Sequence, residues 1–315
     1  MKMMEKQTGW PNIKRRRSRM LLGVSFLIVA ALICGVAVCL FATHKVVLGR
    51  AWPASERVSI DAINHQQWDG LLNRYVDSSG DVDYGRWKAT PDDLRLLNDY
   101  LESLSRADPS RESKREARLA FWTNAYNAVT VQGILREYPT PSIQDHVSHW
   151  LGFNIWRDLL LQVGAQQYSL GEIEHSILRK MDEPRIHFAI VCGSRGCPVL
   201  RKEAYEPERM ESQLQENARQ FFADPTKFSY DRDRKLIQLS PILDWYAKDF
   251  GQNDEERLKK IAPYLPEDAA RELSHGTDVK LTYPSYDWRL NEKASQPEEP
   301  PLPPDPPDQS EEPPP

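Results

Sequence analysis

The chain has 315 residues, 40% of them hydrophobic and 28% charged, with a formal net charge of −5. Between two compositionally biased ends, about 250 residues remain, which suits one large domain or two small ones with a sizeable core. The negative balance supplies no basic surface, which argues against nucleic acid as a partner.

In chain order, residues 1–19 come first and are strongly basic: Lys2, Lys6, Lys14, Arg15, Arg16, Arg17 and Arg19 face only one acid, Glu5. Residues 20–42 then carry no charge at all. As a helix this run would extend about 34 Å, enough to cross a hydrocarbon core of ~30 Å. The basic cluster before it predicts a single-pass topology, with residues 1–19 cytoplasmic and everything after residue 42 outside. The run is longer than a cleaved signal peptide needs, and Leu40 is too large for the −3 position of a cut after Ala42. An uncleaved signal anchor in the inner (cytoplasmic) membrane, displaying a periplasmic domain, is the expectation. Cys34 and Cys39 fall inside the apolar run.

Residues 43–57 read as a stalk and residues 58–294 as the extracytoplasmic globular domain. Helical spacing of apolar residues predicts helices over 59–76, 91–105 and 111–137. A hairpin follows over 159–169, turning at Gly164-Ala165. Ser169 and Glu172 form a capping-box pattern that opens a helix to about residue 180. The apolar run 185–192 suits a buried strand. Beyond it come a helix over 206–223, a hairpin over 227–239, short helices over 241–250, 254–265 and 266–274, and a strand over 279–283. Helices and strands are segregated, so the expected class is α+β: a helix-rich single domain around a small, mainly antiparallel sheet, preceded by one transmembrane helix. Residues 295–315 hold ten prolines and six acids and no base. They predict an extended, solvated tail, with a proline-rich ligand for another protein as the functional alternative.

Three groups of residues could carry chemistry. The first is Cys192-Gly193-Ser194-Arg195-Gly196-Cys197-Pro198, where glycines permit a tight turn with exposed N–H groups. Its cysteines suit a disulfide, a low-pKa nucleophile at Cys192, or a metal ligand. Cys-x4-Cys is not a usual zinc spacing, so no metal or cofactor is expected. The second group is His175, on the helix opened by the capping box, and His187, on the expected strand. A regular strand would point His187 away from Cys192 and leave His175 the better base. The third is the polar stripe Thr123, Asn124, Asn127 and Thr130 on an apolar helix. Burying an unpaired amide costs about 1–3 kcal/mol, so these amides must bond either to a neighbouring backbone segment or to a substrate and histidine.

Several motifs together resemble the domain-of-unknown-function family 547. They are Phe121-Trp122-Thr123-Asn124-Ala125-Tyr126-Asn127-Ala128, Ile173-Glu174-His175-Ser176-Ile177-Leu178-Arg179, Arg185-Ile186-His187-Phe188-Ala189 with the cysteine loop, Leu239-Ser240-Pro241 with Asp244-Trp245-Tyr246, and Tyr286-Asp287-Trp288-Arg289-Leu290-Asn291. The resemblance spans about residues 68–291; Thr123 stands where a hydrophobic residue is more usual. It implies an α+β domain, often exported or membrane-attached in bacteria, and no established reaction.

The leading functional expectation is a Cys-dependent hydrolase or acyl-transfer enzyme. Cys192 would be the nucleophile, His175 or His187 the base, and Asn124 or Asn127 an orienter or oxyanion donor. Tyr126, Ser194 and Arg195 are the candidate substrate contacts. The rival is a non-catalytic binding or scaffold domain in which the cysteines are structural. Thiol redox chemistry is the weaker third, since no Cys-x-x-Cys is present.

Overall fold

The computed structural model describes residues 45–146, 154–273 and 279–294. The basic N-terminus, the apolar run 20–42 and the tail 295–315 lie outside those residues. Among the described residues no helix is long and apolar enough to cross a membrane.

Strand β1 (Val46–Leu48) falls inside the stretch expected as a stalk. It runs parallel to β2 (Leu159–Val163), and β2 pairs antiparallel with β3 (Gln166–Ser169). The domain therefore begins about ten residues earlier than the patterning suggests, because a three-residue strand leaves too little alternation to recognise.

Helices α1 (Gln66–Tyr75), α2 (Tyr84–Lys88), α3 (Pro91–Leu104) and α4 (Arg115–Glu137) form the first half. The single helix expected over 59–76 is broken. A 3-10 turn at Ile60–Ala62 ends in an extended Ile63, and the Gln66 N–H donates to Asn64 Oδ1 at 2.7 Å. Such local side-chain bonds compete with helix continuation. Helix α2 was not expected; Asp83 caps it by accepting from the Arg86 N–H.

Helix α4 is buried almost continuously from Ala117 to Leu135, which makes it the central rod of the larger core. Gly133 lets α5 (Ile155–Asp158) approach, since a Cβ there would meet Ile155 Cδ1 at 2.1 Å. The capping box at Ser169 forms with both arms: Glu172 N–H donates to Ser169 Oγ, and Ser169 N–H to Glu172 Oε2. Helix α6 (Leu170–Glu172) then continues as a π-helical turn over Ile173–Ile177 and a 3-10 turn over Leu178–Met181.

A smaller core gathers Phe188, Phe221, Phe222, Phe228 and Phe250 between α7 (Met210–Ala223) and a second sheet. In that sheet β4 (Phe228–Asp231) pairs antiparallel with β5 (Leu236–Leu239), and β5 runs parallel to β6 (Lys280–Thr282). The fold is thus α+β, helix-rich, with two small mixed sheets in place of one mainly antiparallel sheet. The parallel partners β1 and β6 come from distant parts of the chain, so no adjacent turn announces them.

The run 185–192 is buried as expected, yet it is not a strand. Pro184–Phe188 is a 3-10 turn, and the chain beyond it is irregular. Its backbone bonds explain why.

Candidate active site

Buried backbone must be hydrogen-bonded, and a segment without a partner strand needs other partners. Residues 188–206 find them in side-chain amides from two helices. Asn127 on α4 donates to the Ala189 carbonyl at 3.0 Å and accepts from the Val191 N–H at 2.9 Å. One turn earlier, Asn124 donates to the Tyr205 carbonyl and accepts from its N–H, at 2.8 and 2.9 Å. On α7, Asn217 donates to the Phe188 carbonyl and Gln213 to that of Ala204. Each amide acts as one rung of a ladder, and together they fix the approach to and exit from the cysteine loop.

Within that loop Cys192 and Cys197 form a disulfide, with Cα atoms 6.3 Å apart. Gly193 takes a left-handed φ of +83°, and a Cβ there would lie 2.3 Å from Ile134 Cδ1. Residues 286–291 lie alongside: Arg195 and Gly196 N–H donate to the Arg289 and Asp287 carbonyls, and Asn291 N–H to that of Gly193. The Tyr286 ring lies flat against Gly196, where a Cβ would fall 2.7 Å from ring carbons. Its hydroxyl is 3.1 Å from Ser194 Oγ and 3.2 Å from Cys197 Sγ, while Ser194 Oγ is 3.0 Å from Cys192 Sγ.

The disulfide forms one wall of a cavity of about 290 Å³. His187, Glu174 and Tyr126 line it too, with an aromatic rim that includes Trp156, Trp245 and Trp288. Two short helices, α8 (Ile242–Trp245) and α9 (Ala247–Phe250), present Trp245, Tyr246 and Asp249 to this region. The His187 ring stacks on Tyr246 with centroids 4.0 Å apart, and its Nε2 is 2.8 Å from Asp249 Oδ2. Arg179 binds the same carboxylate through two nitrogens at 2.6 and 2.7 Å.

The electrostatics follow from burial. Burial pushes the His187 pKa below its ordinary value, and Asp249 offsets this only in part. Burial works against the charge on Asp249, but hydrogen bonds from Arg179 and His187 outweigh it and hold that carboxyl below its usual range. The neutral imidazole then donates Nε2–H to Asp249 and keeps the Nδ1 lone pair as a proton acceptor. Burial, and after it the Glu174 carboxylate, push the Tyr246 hydroxyl well up. Glu174 itself is only 5% exposed; its Oε2 accepts from Tyr126 Oη at 3.2 Å, and its Oε1 has no hydrogen-bond partner among the described residues.

Of the residues singled out from sequence, Cys192, His187 and Tyr126 meet at the cavity. Because 185–192 is not a strand, the alternation argument against His187 does not apply. His175 lies on the π-helical turn with its side chain 54% exposed, and its Nδ1 faces Arg179 Nη1 at 3.2 Å. Asn124 and Asn127 are turned to backbone, which makes them positioning groups. Ser194 is buried against Cys192 Sγ, whereas Arg195 reaches away to the Glu292 carbonyl and Asp81. Sequence reasoning missed Glu174, Asp249, Tyr246 and Trp245 as site residues. The aromatic pair Trp245-Tyr246 beside Asp244, within one of the motifs that carry the family resemblance, was a readable signal; for Asp249 there was none. Among the described residues no three His, Cys, Asp or Glu side chains cluster as metal ligands would.

No curated protein and no solved structure matches the chain. Residues 110–222 match the family model described as "Protein of unknown function, DUF547". The matched stretch contains Asn124, Asn127, Glu174, His187 and both loop cysteines, while Trp245, Asp249, Tyr286 and Trp288 lie beyond it. The segment that builds the loop and most of the cavity wall is therefore the one that matches this family model.

Proposed function

We propose that this cavity is the active site of a hydrolase or acyl-transfer enzyme, with His187 as base and Cys192 as nucleophile in the dithiol form of the protein. One observation carries the reading. A neutral histidine, oriented by Asp249 and anchored through it to Arg179, lines the same small cavity as Cys192. A nucleophile, a base and a group that orients the base are the parts such chemistry requires. Asn124 and Asn127 contribute by setting the path of the loop, and the disulfide with Cys197 is the closed form of the site.

The disulfide also favours a second reading, a binding domain whose cysteines only staple the loop. Both readings accommodate a domain displayed in the periplasm on residues 20–42, where disulfides persist. They accommodate equally a proline-rich tail that recruits a partner. The charge asymmetry around the apolar run supports that placement.

Thiol reactivity separates the two. After mild reduction of the full-length protein, limiting iodoacetamide should label Cys192 about tenfold faster than Cys197, as an activated thiolate would react. His187→Gln should erase that preference. Equal labelling in both proteins, or no labelling without unfolding, would leave the binding reading in its place.

A further inference from the structure

The carboxyl groups at the cavity are unequally partnered. Arg179 is committed to Asp249, bound through two nitrogens, and that pair is neutral as a unit. Arg179 Nη1 lies 3.2 Å from His175 Nδ1. His175 Nδ1 also lies 3.9 Å from Glu174 Oε1, beyond hydrogen-bond reach. Glu174 is a buried carboxyl group whose Oε1 makes no direct hydrogen bond among the described residues, although the Tyr246 hydroxyl and Arg179 interact with the carboxyl group as a whole.

The surroundings of that carboxyl are aromatic. Tyr126, Trp156, Tyr246, Tyr286, Trp245 and Trp288 line the cavity with it. Tyr286 and Trp288 pack with centroids 4.5 Å apart, and Trp245 lies 4.8 Å from Tyr286 with 49% of its surface exposed. Aromatic faces attract cations, and a desolvated site strengthens that attraction. An ordinary apolar ligand would leave Glu174 Oε1 without a partner. A ligand with N–H donors on a positive nitrogen would satisfy the carboxyl and the rings together.

We propose that the cavity recognises an aliphatic primary ammonium group, with Glu174 as its counter-ion and the aromatic rim around its alkyl part. This deepens the reading of the cavity as a functional site by naming the class of substrate it takes.

The test uses the full-length protein in its disulfide form, in which Cys192 chemistry is silent. Calorimetric titration with n-butylammonium is compared with n-butanol, which matches it in length and lacks the charge. The ammonium should bind at least about tenfold more tightly, a difference within reach of one cation–π site plus a charged hydrogen bond. Glu174→Gln should remove most of that difference, and this arm is read only if the variant keeps the wild-type circular dichroism. The comparison of the two ligands on the unaltered protein needs no variant. Equal affinity for both ligands, or no binding of the ammonium at millimolar concentration, would overturn the proposal. Either result leaves the labelling of Cys192 unaffected, so the two ideas fail separately.

Discussion

The hairpin β2–β3 and the segment 188–206 are both largely internal, yet they meet the same demand in opposite ways. In the hairpin, backbone groups pair with each other in a register from Leu160 against Ser169 to Val163 against Gln166. Everything that specifies it lies within eleven consecutive residues: a run of apolar side chains, the Gly164-Ala165 turn and a short partner. In 188–206 the rungs are amides carried by α4 and α7, with Asn127 64 residues from Val191 and Asn124 81 residues from Tyr205. A ladder made of side chains lets the backbone bend where a strand would have to run straight. That freedom allows Cys192 and His187 to reach one cavity.

The comparison can be broken at its rungs. Asn127→Ala leaves the Ala189 carbonyl and the Val191 N–H buried without partners, at about 1–3 kcal/mol for each group. Urea unfolding should therefore show a loss of about 2–6 kcal/mol, and Cys192 should lose any selective reactivity in the reduced protein. A loss below about 0.5 kcal/mol, the range of an ordinary surface change, would mean the amide is not a rung. Ser169→Ala, at the end of the hairpin, removes only one arm of a capping box and should cost about 1 kcal/mol. It should leave the cysteine loop untouched. If the two variants proved equally destabilising, the contrast between local and distant support would lose its meaning.

The same contrast explains what could be read from the chain. Helix α3, the central helix α4, both hairpins and the capping box are legible because their periodicity or pairing is local. The helix expected over 59–76 forms only in its second half, as α1, since Asn64 interrupts the first through a side-chain bond that periodicity does not register. The run 185–192 shows the limit most clearly. Its apolar character correctly predicts burial, but burial does not identify the hydrogen-bond partner, and the partner decides strand against irregular chain. For the site, the unusual asparagines inside α4 signalled that something must bond to them. They could not signal whether that was ligand or backbone. Asp249, which orients His187, sits among ordinary charged residues and becomes visible only when the chain is folded.

The central claim is that His187 acts on Cys192, and the pH profile of Cys192 alkylation tests it most directly. His187 is held neutral at pH 7 because burial lowers its pKa, so it is available to take the thiol proton. In the reduced full-length protein, the rate of iodoacetamide modification at Cys192 should rise with an inflection at least about one unit below the ~8.5 of an ordinary thiol. In His187→Gln that inflection should return to about 8.5 or above, because the amide cannot accept the proton and burial disfavours the thiolate. Superimposable profiles in the two proteins would contradict the account.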